Sequence, residues 1–94
     1  MLLEVKKLNI TNNGYKREVS LSKVFVNVDH IISISDHNIK QFLINETNGN
    51  FSDKSFSLLK ISNVNSTEEM IVVGTSEEIF RSTQPSDQKG ILHG

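Results

Sequence analysis

Lys23 to Asp36, KVFVNVDHIISISD, is the stretch whose reading decides the fold. It holds two apolar runs, Val24-Phe25-Val26 and Ile31-Ile32-Ser33-Ile34, on either side of a polar break from Asn27 to His30. Val24, Val26 and Val28 share one parity, and Ile32 and Ile34 share a face after the break. Alternation in β-branched residues marks strand rather than helix. The stretch reads as two consecutive strands joined by a tight corner, where Asn27 and Asp29 can bond their own backbone. The other strands are expected to pair with this ribbon, and one short helix to cover it.

Upstream, Leu2 to Ile10 reads as a first strand. Leu3 and Val5 hold one parity and Leu8 and Ile10 the other, so either both faces are partly buried or a bulge sits near Lys6-Lys7. Asn12-Asn13-Gly14 signals a tight hairpin, because Asn-Gly tolerates positive φ. Tyr15 to Ser20 starts the return strand, with Ser20 to Lys23 as a candidate interruption. Downstream, Asp36-His37-Asn38 reads as a turn, Ile39 to Asn45 as a strand, and Glu46 to Lys54 as a polar hairpin loop. Ser55 to Ser62 is a strand in which Ser57, Leu59 and Ile61 alternate with Phe56, Leu58 and Lys60, read as one fully apolar face and one partly so. Asn63 to Glu68 is a turn, and Glu69 to Val73 a short strand with Ile71 and Val73 inward.

After Gly74, Thr75-Ser76-Glu77-Glu78 fits a capping box, with Thr75 as cap and Glu78 three residues on. Both acids sit where the helix dipole favours them. A helix over Ser76 to Ser82 is expected, docked by Ile79 and Phe80, with Pro85 barring continuation. The domain is read as residues 1–83, with 84–94 as a flexible C-terminal tail. The fold class is mainly β: a small SH3-like, partly open barrel or a curved antiparallel sheet of five to seven short strands, with one short C-terminal helix.

Composition narrows function by exclusion. The 94 residues make one small domain, and 36% are hydrophobic, below the ~45–50% usual for globular chains. Such a chain buries roughly 60–65% of its unfolded surface, so a partner would add to its stability. The net charge of −1 gives no electrostatic case for non-specific nucleic-acid binding. There is no cysteine, hence no disulfide and no thiolate chemistry. No apolar run is long enough to span a membrane, and MLLEVKKLN lacks a signal-peptide core; a cytoplasmic or virion location is the expectation. Alanine, the best helix former, is absent.

The search for chemistry is largely negative. His30, His37 and His93 have no metal-ligand spacing. Asp29 and Asp36 could hold a cation with His37, but no EF-hand-like loop accompanies them. Glu68-Glu69 and Glu77-Glu78 are adjacent pairs whose side chains point apart and cannot flank one scissile bond. No Gly-x-Ser-x-Gly elbow or phosphate-binding glycine loop is present. No catalytic residue, cofactor or metal site is expected, and an enzyme is not.

Two partner classes remain. A mixed-charge first quarter carries Lys6, Lys7, Lys16, Arg17 and Lys23, with Tyr15 beside them. If the first two strands pair, Lys6-Lys7 would approach Lys16-Arg17, and Lys6, Lys7, Tyr15, Lys16 and Arg17 would form a nucleic-acid-binding face. The main expectation is instead a protein partner or a homo-oligomer, because the first strand and Ser55 to Ser62 have apolar residues on both faces.

Val26-Asn27-Val28-Asp29-His30-Ile31 and Val72-Val73-Gly74-Thr75-Ser76-Glu77-Glu78-Ile79 resemble corresponding segments of the small FlbD-like (swarming-motility) proteins and similar short bacterial and phage proteins. The resemblance spans about Leu3 to Phe80, with a longer hairpin around Tyr15 to Lys23 and an extra-long loop at Glu46 to Lys54. It implies a non-enzymatic accessory protein and supplies no catalytic residues. The Phe25-Val26-Asn27 to Ile31 stretch is also similar to the middle of the DNA-binding LytTR domain, whose final strand is followed by basic residues rather than Glu77-Glu78.

Overall fold

The computed structural model describes residues 1–39, 42 and 53–84. Five strands, β1 (Leu2–Asn13), β2 (Lys16–Asn27), β3 (Ile31–Asp36), β4 (Phe56–Ser62) and β5 (Thr67–Val73), are followed by one helix, α1 (Ser76–Ser82). They form one antiparallel sheet in the order β2-β1-β5-β4-β3. This is the mainly β architecture expected, an open curled sheet with a short C-terminal helix. The strand expected over Ile39 to Asn45 is absent at Ile39 and at Phe42, which is helical; residues 40–41 and 43–45, most of the 46–54 loop and the tail from Pro85 lie outside the described residues.

The curl follows from one short connection. β2 and β3 are the two edge strands, yet only a 3-10 turn, Val28–His30, separates them. Across a flat sheet the edges would stand about 19 Å apart, four strand spacings of ~4.8 Å. The four steps from Asn27 to Ile31, at ~2 Å rise per residue in a 3-10 turn, reach only about 8 Å. The sheet must therefore wrap until its edges nearly meet. Asn27 caps the turn as its sequence suggested: its Oδ1 accepts from the Asp29 N–H at 3.0 Å. The Val28 N–H donates to the Met1 carbonyl at 3.0 Å, tying the turn to the chain start. The two strands flanking this corner do not pair with each other.

The other half of the wrap is at β1 and β5, which share a single paired position, Lys7↔Val72. There the strands cross rather than run alongside. The β1–β2 register is unbroken from Leu2↔Asn27 to Asn13↔Lys16, so there is no bulge at Lys6-Lys7 and no interruption at Ser20 to Lys23. The parity change has the other cause foreseen, burial of both faces. Before the crossing, Leu3, Val5, Val24 and Val26 face the main core, with Leu59, Ile61, Met70, Val72 and Ile79. Beyond it the ribbon presents its opposite face: Leu8, Val19 and Leu21 pack on Phe56, Ile71 and Val73, with Ile39 and Phe42. Strands β4 and β5 are thus apolar on both sides; Met70 and Val72 face the main core and Ile71 and Val73 the second cluster. Ser57, fully buried, is satisfied by donating its hydroxyl to the Gly74 carbonyl at 2.7 Å.

The hairpin turn is Gly14-Tyr15, one residue later than an Asn-Gly loop, with Gly14 at φ +69. Helix α1 has the expected bounds and capping box: the Glu78 N–H donates to Thr75 Oγ1 at 3.2 Å and the Thr75 N–H donates to Glu78 Oε1 at 2.9 Å. Its first turn is also fixed to β3, because the Ser76 N–H donates to Asp36 Oδ1 at 2.8 Å. The backbone hydrogen bond from Ser76 holds the Asp36 carboxyl below its ordinary value of 3.8.

Leu59→Ala should cost about 3 kcal/mol in chemical denaturation, as expected for a fully buried leucine. Because Asp36 titrates lower in the folded chain than in the unfolded one, its contribution is complete above the unfolded value and is lost as pH falls below it. Asp36→Asn should therefore be less stable than wild type at pH ~7 and indistinguishable from it at pH ~2 in thermal melts.

Candidate docking surface

Strand β3 carries a local irregularity that shapes an exposed groove. Ile31 pairs with Ile61 and Ser33 with Lys60, so Ile32 is an extra residue, a β-bulge. The bulge shifts the parity: Ile31 and Ile34 turn inward against the main core, and Ile32 turns out, 52% exposed. Ile32 and Ile34 therefore do not share a face, contrary to simple alternation.

Helix α1 starts beside Asp36 and runs back along β3. Ile79 docks it and is buried, whereas Phe80 is 58% exposed. Phe80 is thus no part of the core, and neither is Phe25, 57% exposed on the outer side of β2. Between α1 and β3 lies a groove of about 440 Å³ with a mixed lining, apolar at Val28, Ile31, Ile32, Ile34 and Phe80 and polar at Ser33, Ser76, Glu77 and Thr83. The Arg81 guanidinium donates to the Glu77 carboxylate one helical turn away, which occupies that acid.

Among the described residues, exposed large hydrophobics gather near the Val28–His30 turn. Ile32 and Phe80 line the groove together with Val28. Leu2 is opposite Asn27, and Phe25 precedes that residue by two. Met1 holds the Val28 amide. Val64 lies in the β4–β5 turn, next to Ser62, whose hydroxyl donates to the His30 carbonyl at 3.4 Å. Ile10 and Tyr15, also exposed, lie away from this turn, toward the tip of the β1–β2 hairpin. The apolar faces singled out in sequence, on β1 and on β4, are covered instead by the second cluster.

The basic residues do not converge as the hairpin suggested. Lys6 is opposite Lys23 and Lys7 opposite Ser22, while Arg17 is opposite Asn12 and Lys16 opposite Asn13. Six residues along a strand separate Lys6-Lys7 from Asn12-Asn13, about 20 Å. Tyr15 is fully exposed at the hairpin tip, and the Arg17 guanidinium stands 5.8 Å from the centre of the Phe42 ring, a packing role. Among the described residues no three His, Asp or Glu side chains converge as a metal site. His30 ends the 3-10 turn, and the His37 N–H donates to the Phe56 carbonyl at 2.9 Å, extending the β3–β4 pairing. No helix of the described residues is long and apolar enough to cross a membrane.

No protein-family model, curated protein or solved structure matches this chain.

If Phe80 and Ile32 serve the surface rather than the core, Phe80→Ser and Ile32→Ser should each change the unfolding free energy by less than about 1 kcal/mol. Ile79→Ala, one position from Phe80, should cost about 3 kcal/mol. Urea titrations of the three variants measure the contrast.

Proposed function

We propose that the chain is a non-enzymatic protein-interaction or structural module that self-associates and docks a protein partner at the Val28 turn. The carrying observation is the open groove between α1 and β3, with Ile32 thrown outward by a bulge and Phe80 left outside the core. Hydrophobic side chains held at the mouth of a groove by a rigid strand and helix lose little entropy when covered, which favours binding. The resemblance to FlbD-like accessory proteins of bacteria and phages supports the same class, as does a cytoplasmic or virion setting. The rival, a nucleic-acid-binding β-module using Lys6, Lys7, Tyr15, Lys16 and Arg17, is weakened by the register, which spreads these residues along the hairpin.

The test is a pull-down from the cells of origin with immobilised wild type beside the Ile32→Glu/Phe80→Glu double variant. The expected result is a protein retained by wild type and lost at least about tenfold by the variant, the scale of a binding hot spot. Equal retention by both would contradict the proposal, and salt-sensitive binding of a labelled oligonucleotide would support the rival instead.

A further inference from the structure

The two edges of the sheet are unequal. β3 is six residues long, is bulged at Ile32 and runs beside α1. Short length, a bulge and a covering element are the ordinary devices by which a sheet edge is kept from pairing with another chain. β2 has none of these three: it is twelve residues long, without bulge or proline, and its guard is charge alone, at Arg17, Glu18 and Lys23. Among the described residues it pairs only with β1.

Which of its backbone groups are not spent on β1 follows from the ladder. The Val28 N–H donates to the Met1 carbonyl, and Met1 and Val28 continue the same register as Leu3↔Val26 and Val5↔Val24. Hydrogen-bonded pairs alternate along an antiparallel ladder. Even-numbered residues of β2 therefore turn their N–H and C=O toward β1. Arg17, Val19, Leu21, Lys23 and Phe25 turn theirs to the open edge.

We infer that this edge pairs antiparallel with the same strand of a second copy, about a two-fold axis at Leu21, joining two sheets into one. This deepens the self-association proposed above and rests on it. An isologous contact requires a strand complementary to itself. About Leu21, Ser20 lies opposite Ser22 of the partner subunit, Val19 opposite Lys23 of the partner subunit, and Arg17 opposite Phe25 of the partner subunit. In the last pair Phe25, 57% exposed in the single chain, gains a neighbour whose guanidinium already stands at the Phe42 ring of its own chain. A shift of the axis to Ser20 would put Arg17 against Lys23 of the partner subunit, so the charges that guard the edge also select the register.

The test combines sedimentation with amide hydrogen exchange from about 10 μM to about 1 mM, spanning the affinities of weak to moderate dimers. A dimer should form, and exchange at Val19, Leu21 and Lys23 should slow by at least about tenfold as it does, while Ser20, Ser22 and Val24, already bonded to β1, stay slow throughout. Lys23→Pro removes one edge N–H without touching the β1 ladder and should give a folded monomer. A strict monomer at the highest concentration, or a dimer whose odd-numbered amides exchange freely, would overturn the inference. A dimer that survives Lys23→Pro but is lost in Ile32→Glu/Phe80→Glu would overturn the edge and leave the interaction reading standing.

Discussion

A three-residue link between the two edge strands is the constraint on which the rest of this structure depends. Val28–His30 is too short to bridge a flat five-stranded sheet, so the sheet must curl. Curling sets the inward faces of β2 and β3 around one core, where Val24 and Val26 meet the same cluster as Ile31 and Ile34. It also makes β1 and β5 cross at Lys7↔Val72 rather than run together. Crossing lets one uninterrupted hairpin serve two clusters, its first half through one face and its second half through the other. A small chain thereby obtains more buried apolar surface than a sheet with a single inner face would give it.

The same constraint decides where apolar surface is left over. The bulge at Ile32 absorbs the mismatch between the incoming corner and the β4 ladder, and it sends one isoleucine outward. Helix α1, pinned at its start by Asp36, lies across the rim with Ile79 down and Phe80 beside the groove. The groove is therefore a by-product of how the curl is closed.

Features written in contiguous residues were legible before the structure was. Helix α1 was bounded because Thr75 and Glu78 satisfy each other's backbone amides within one turn. The corner was legible because Asn27 bonds the Asp29 amide two residues on. What could not be read depends on partners distant in sequence. Leu8 and Phe56 form a second cluster only because the hairpin crosses β5, and nothing local to either residue says so. Ile32 breaks parity because its neighbours pair with consecutive residues of β4. Phe80 is expected from sequence to dock the helix beside Ile79, yet helix rotation exposes it. The groove, built from these long-range effects at Ile32 and Phe80, is for that reason the least legible part, and hairpin register, not proximity in sequence, decides which lysines meet.

The most direct measurement of the curl is a methyl nuclear Overhauser spectrum of the folded chain. Val26, on one edge strand, should show cross-peaks to methyl groups of Leu59 or Ile61 on β4 and of Ile34 on the opposite edge strand, since all of these border one core. In a flat sheet Val26 would have only β1 methyls within reach, and Ile34 would be about 19 Å away. Cross-peaks from Val26 confined to Leu3 and Val5 would contradict the account.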